Sequence, residues 1–247
     1  METAELIKSL VREGQLLAAA AAEAGPEASV PTCPGWQVRD LLRHISMVHR
    51  WATAFITEGY TSFQPADDQP ELDGDELLEW FREGHGLLVA ALSEAPADVE
   101  CWSFLPAPSP LAFWARRQAH ETAVHRTDAE SALGGKPGPV AADLALDGID
   151  ELLGAFHARS RSRVRTEEPR VLRVHTSDTD DVWTVRLSAG APRTERTEKG
   201  PADCELRGTA EQLYLTLWNR LPLTTVSVTG DAELAGLWRE LSAITWS

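Results

Sequence analysis

The chain has 247 residues, of which 43% are hydrophobic and 25% charged, enough to bury a sizeable core in one large domain or two modest ones. Its formal net charge of −15 is uneven: residues 1–160 hold 11 Lys and Arg against 25 Asp and Glu, and residues 161–247 hold 12 against 13. A field of that sign repels phosphate backbones and anionic lipid surfaces, so neither nucleic acid nor membrane is expected as a partner.

The opening METAELIKSLVREGQLLAAAAAEAG is broken at helical spacing by Glu5, Lys8, Arg12 and Glu13, which reads as a first helix rather than a leader. No apolar run approaches the roughly 18 residues of a membrane span. Cys33, Cys101 and Cys204 lie far apart with no C-x-x-C pair, which argues against a disulfide framework or a cysteine zinc site. A soluble protein of the reducing cytoplasm is expected. Lys is scarce beside Arg, 3 against 20, a bias associated with GC-rich genomes.

In chain order, the first helix spans about 2–24 and ends at Gly25-Pro26. A second follows Pro34-Gly35 and carries the apolar stripe Trp36, Val38, Leu41, Leu42, Ile45, Val48, Trp51 and Phe55 up to Gly59. After a loop rich in Pro and Asp, a third helix is expected over about 75–93. A fourth is expected over 110–133 and a fifth over 140–161. Long helices on short loops favour an antiparallel bundle. The Arg-rich ARSRSRVRTEEPR (158–170) reads as a solvated helix end and linker. Beyond it, VLRVHT (171–176) and DVWTVRL (181–187) alternate with period two around a Ser- and Asp-rich turn, a hairpin pattern. CELRG (204–208) and TTVSVTG (224–230) are further strands, with helices over 209–221 and 231–244. The second part is therefore α+β.

The sharpest local feature is RRQAHETAVHRTDAE (116–130), where Glu121 and His125 stand four apart and project from one helical face. That spacing is shared by an ordinary Glu–His pair on a helix surface and by two ligands of one ion. His44 falls among Leu41, Leu42, Ile45 and Val48 on the buried side of its helix, where an imidazole needs a partner. His, Glu and His converging from facing helices suit zinc or another divalent metal and leave a coordination position open. An open position implies Lewis-acid or nucleophile-generating chemistry rather than a structural staple.

VPTCPGWQVRDLLRHISMVHRW, followed by RRQAHETAVHRTDAE and LALDGIDELL, resembles the mycothiol-dependent maleylpyruvate isomerase family of actinobacteria. The metal-binding domain of that family is a DinB-like four-helix bundle. CELRGTAEQLYLTLWNRLP and the trailing VSVTGDAEL resemble its C-terminal domain, which is similar in build to sterol-carrier proteins. The expected architecture is α plus α+β: a bundle over residues 1–160 and a small α+β domain over 161–247. The resemblance implies that His44, Glu121 and His125 are the zinc triad and that mycothiol is the thiol cosubstrate. It also implies that Arg220 contributes to activity by holding a carboxylate or the sugar-thiol with its planar fork. Zinc-held thiolate would add to the activated double bond of a maleylpyruvate-type substrate, allow rotation and leave as the trans product forms. The same thiolate could instead attack an electrophile and stay attached, which is S-transfer.

Two other readings stay open at this point: a hydrolase using zinc-bound water without thiol, and a non-catalytic module binding a small ligand. Asp40, one turn before His44, suits either support of that imidazole or capping of its helix. Cys33, in the TCPGW turn, reads as structural. His49 and His120 fall off the ligand faces, and Arg116 and Arg126 read as solvated. Trp36, Trp51, Trp80 and Trp114 occupy core-like positions.

Overall fold

The structure is a computed structural model that describes residues 1–244. Four long helices come first: α1 (Thr3–Ala24), α2 (Val38–Glu58), α3 (Gly74–Glu94) and α4 (Pro110–Ser131). Their ends follow local chemistry. At the start of α2 the Asp40 side chain accepts from the Gln37 backbone N–H. Gly59 takes the left-handed conformation that closes α2. Ser109 accepts from Ala112 N at the start of α4, with Pro110 at the first helical position, where its missing N–H costs nothing. α1 packs on α4 and α3, and α2 on α3 and α4. Leu17, Leu41, Ile45, Leu77, Phe81 and Ala129 share the core between them.

An aromatic cluster closes one part of this unit, with Phe55 stacked on Trp114 at 5.0 Å and Trp51 edge-on to both. Trp114 is fully buried, as its pattern suggests, but Trp36, Trp51 and Trp80 are only half-buried. Trp80 instead carries the Arg50 guanidinium over its ring at 3.5 Å.

The chain divides into two compact units, Met1–Gly138 and Pro139 onward. This division falls earlier than the expected change at 160/161. Helical periodicity says that α5 (Ala142–Asp150) has an apolar face, but not which core that face serves. Leu144, Ala145 and Ile149 are buried, and α5 packs on α6 (Ala210–Leu217) of the second unit. A π-helical turn, Glu151–Phe156, follows α5 where a continuous α-helix to Arg161 is expected. The Arg-rich stretch thus lies inside the second unit, with Arg159 donating to the Phe156 carbonyl and Arg165 to that of Ser160.

The second unit also holds β1 (Arg170–Thr176), β2 (Val182–Leu187), β3 (Arg193–Glu195), β4 (Cys204–Gly208), β5 (Ser227–Gly230) and α7 (Ala232–Leu241). The sheet order is β3-β2-β1-β4-β5, with β1 and β4 parallel and the other neighbours antiparallel. Leu172, Val174, Val185 and Leu206 are fully buried on one face. Arg173, His175, Glu205 and Arg207 alternate to the other, where Arg173 donates to the carbonyls of Glu198 and Gly200. Among the described residues no helix is long and apolar enough to cross a membrane.

His157 sits in this unit against Trp238, 2% exposed, with Nδ1 near Ser162 Oγ. Burial, with the nearby Arg159 charge, pushes its pKa down to about 4. The unfolded value is about 6.5, so the ring is neutral in both states above that pH. Stability is complete there and is lost as pH falls from about 6.5 to about 4. The parent is expected to lose up to about 3 kcal/mol over that window relative to His157→Leu, read as the difference between their denaturant melts at each pH. Parallel pH profiles for the two proteins would contradict this.

Candidate metal centre

α4 is an unusual helix: 16 of its 22 residues are buried, Arg117, Gln118, His120, Glu121, Thr122, His125, Arg126, Thr127 and Asp128 among them. Each buried polar group must find a partner or a charge to answer. Arg117, Glu121, His125 and Asp128 follow one another at helical intervals of four, four and three, so they line one face. α2 brings His44 against that face. The TCPGW turn enters α2, with Thr32 Oγ1 3.1 Å from Ser131 Oγ at the end of α4. Trp36 places its ring 5.3 Å from that of His44.

His44 Nε2 lies 3.5 Å and His125 Nε2 3.3 Å from the same oxygen, Glu121 Oε1. One donor atom from each of these three buried residues lies within 4.8 Å of the other two, the only such group found among the described residues. Glu121 Oε1 has no hydrogen-bond partner although it is buried. The other oxygen, Oε2, accepts from Arg117 Nη2 at 2.9 Å. His125 Nδ1 is 2.9 Å from Asp128 Oδ2, which leaves Nε2 facing Glu121.

These contacts set the charges. Burial alone would raise the Glu121 pKa, yet the His125 and His44 imidazoles and the Arg117 guanidinium hold it well below the usual carboxylate range. Burial likewise opposes charge on His125, but Asp128 and Glu121 outweigh it and push the imidazole up to about 9.

The donor set fits a divalent metal. Bonds of about 2.0–2.2 Å in a tetrahedral arrangement would separate ligand atoms by about 3.3–3.6 Å, and the two Nε2–Oε1 edges, 3.5 and 3.3 Å, fall in that range. An orphaned carboxylate oxygen facing two imidazole nitrogens is what such an ion would satisfy.

The other residues singled out in the sequence take different places. The Asp40 carboxylate accepts from Gln37 N at 2.9 Å, which is the capping role. His49 is fully buried with Nε2 2.9 Å from Thr122 Oγ1, and burial together with neighbouring His85 keeps its pKa well below the usual value. His120 is buried outside the triad. Arg126 is not solvated: it is fully buried, donating to Glu13 Oε2 at 2.8 Å, Glu130 Oε2 at 2.7 Å and the Gly138 carbonyl at 2.6 Å. The spacing that marks it as one residue beyond the ligand face cannot reveal that α1 covers that side too. Arg220 lies in the second unit, where Asn219 turns the chain through a left-handed conformation at the end of α6. There its guanidinium donates to the Trp218 carbonyl at 2.9 Å.

Cys101 and Cys204 are buried thiols, and burial pushes Cys204 up to about 11, far from nucleophilic use at neutral pH. Arg117 and Asp128 stand beside the triad without a sequence expectation of their own, although E-x3-H-x2-D with an arginine four residues earlier places all four side chains on one face.

Fold and site together define a helical bundle with a three-ligand candidate metal centre, joined to a small α+β unit. The model of the mycothiol maleylpyruvate isomerase N-terminal domain matches residues 8–130, and that of the MDMPI C-terminal domain residues 143–237. The chain belongs to the mycothiol-dependent maleylpyruvate isomerase family. Among solved structures it is similar to crystal structures of the mycothiol-dependent maleylpyruvate isomerase and of a histidine-to-alanine mutant of it. Identities are 13% and 12%, the TM-score is 0.64 for both, and 93% of each chain is covered. At that identity the likeness speaks for the fold. No curated protein matches the chain in a sequence search.

Proposed function

We propose that the chain is a metal-dependent, mycothiol-using enzyme acting on a small electrophilic substrate, by cis–trans isomerisation of the maleylpyruvate type or by thiol S-transfer. The observation that carries this reading is the orphaned Glu121 Oε1 facing the Nε2 atoms of His44 and His125. Family membership supports mycothiol as the thiol and isomerisation as the first reaction to assay. The three residues would hold a divalent metal, zinc by preference of the His2Glu set, and such an ion would keep a coordinated thiol deprotonated at neutral pH.

The chain's own residues do the rest. Glu121 supplies one negative charge through Oε1, while Arg117 holds its other oxygen. His125 offers Nε2 because its Nδ1–H donates to the Asp128 carboxylate. Burial of all three donors excludes competing water and strengthens their fields. Trp36, half-buried beside His44, supplies an apolar wall. Arg220 is proposed to bind a carboxylate of the substrate or thiol through its planar fork. Cys101 and Cys204 are buried and burial raises both thiols, which favours a thiol brought from solution. We place the enzyme in the cytoplasm, where such a thiol stays reduced.

Metal analysis of the purified protein, calorimetric titration with mycothiol and a maleylpyruvate assay test the reading. A single metal ion per chain, thiol binding that needs it, and conversion that needs both are expected. Product mass separates isomerisation from S-transfer. Metal-free protein that cannot be reconstituted, or turnover undiminished without thiol, would overturn the proposal.

A further inference from the structure

The face of α4 that carries two of the three donors also carries two residues that touch those donors from behind. Arg117 is 1% exposed and reaches Glu121 Oε2 at 2.9 Å; Asp128 is fully buried and reaches His125 Nδ1 at 2.9 Å. Both contacts run along one helix, at i,i+4 and i,i+3, so they are fixed by the same backbone that fixes the donors.

Each contact removes one freedom that would blur a metal site. A carboxylate can bind through one oxygen or both, and one whose second oxygen is held by a guanidinium offers only the first. A neutral imidazole carries its proton on either nitrogen. An acceptor at Nδ1 places it there and leaves the Nε2 lone pair for a metal. The two charges, one positive and one negative, also cancel, so the support leaves the net charge of the centre that of its ligands.

We propose that Arg117 and Asp128 are positioning residues for the metal: Arg117 restricts Glu121 to one-oxygen ligation through Oε1, and Asp128 fixes His125 for ligation through Nε2. The inference rests on the metal reading given above. It predicts a compact coordination number, with Glu121 using one site and the remaining position kept for an external ligand.

The test uses metal alone, apart from any turnover. Zinc affinity is measured by competition with a chromogenic chelator for the parent and Asp128→Asn, which keeps the side-chain shape. Affinity in the variant is expected to fall roughly 10–100-fold, with a single ion per chain still bound at saturation. For Arg117, the visible spectrum of the cobalt-loaded protein reports coordination number. Arg117→Met releases Oε2, and the cobalt bands are expected to weaken as Glu121 binds through both oxygens. Arg117→Lys, which keeps a donor cation, is expected to return the spectrum toward that of the parent.

Circular dichroism of the metal-free proteins checks that each is folded, and Asp128→Asn decides alone should Arg117→Met not fold. A merely structural role for the pair would lower metal-free melting temperatures and leave zinc affinity and cobalt bands at parental values. That result would overturn the inference while the metal reading survived. A parent that binds neither zinc nor cobalt would overturn both.

Discussion

Glu121→Ala and His125→Ala are each expected to lose the bound metal and to lower mycothiol-dependent turnover at least about 100-fold, beyond the roughly 10–100-fold cost of disturbing support around a ligand. The reason is the small number of donors. With three proposed ligands, loss of one leaves two, too few to hold an ion that demands four positions against water. Glu121 also brings the only negative charge among the three, so its loss leaves two neutral imidazoles to hold a doubly charged ion. In Glu121→Ala the Arg117 guanidinium, 2.9 Å from the lost carboxylate, further repels a cation. Metal content by elemental analysis and initial rates at saturating thiol give the readout. Metal-free parent protein serves as the control, because a variant that loses metal but keeps the fold should match its rate. Either variant retaining a full complement of metal would remove that residue from the ligand set.

Much of the bundle was legible because its helices obey one rule: an apolar stripe at helical spacing, closed by Gly or by a capping side chain. α2 shows this plainly, from the Asp40 cap to Gly59, with His44 on the buried stripe. α4 shows where the rule fails. Its polar residues are buried on nearly every side, so no stripe distinguishes core from surface, and Arg126 could not be told from a solvated arginine by spacing alone. The i,i+4 pair Glu121 and His125 was readable, since it needs only helix geometry. Their supports needed knowledge of burial: a surface Asp128 would be an ordinary helix residue. In the second unit, the strands with clean alternation were legible, including all of Cys204–Gly208. β3 was not, being three residues of an edge strand, Arg193–Glu195, with no buried face to leave a pattern. The π-helical turn after α5 has no composition that separates it from α-helix.

Arg126→Met is expected to destabilise the first unit by about 3–5 kcal/mol, because it strands a carboxylate in the core. Glu13 on α1 and Arg126 on α4 are both fully buried and meet at 2.8 Å across the most extensive helix–helix packing in that unit. Without Arg126, Glu13 retains Arg12 at 2.7 Å, but that guanidinium is half-exposed and cannot replace a buried partner. Glu130 lies nearer the surface and can turn to water, so its loss of the same arginine costs less. The Coulombic gain of such a buried pair is offset by the desolvation of both ions. The double variant Glu13→Leu with Arg126→Met is therefore expected to recover most of the lost stability, although either single change is severe. Melting should drop by roughly 10 °C in Arg126→Met and return toward the parent in the double variant. Arg126 lies beside His125, so metal content measured well below the melting transition carries a second consequence: it should stay at the parental level in both variants, since Arg126 holds Glu13, Glu130 and the Gly138 carbonyl. If Arg126→Met melts with the parent, the arginine is not the buried partner the contacts describe. If the double variant is no better than the single, the pair acts through the remaining bonds to Glu130 and the Gly138 carbonyl rather than through Glu13.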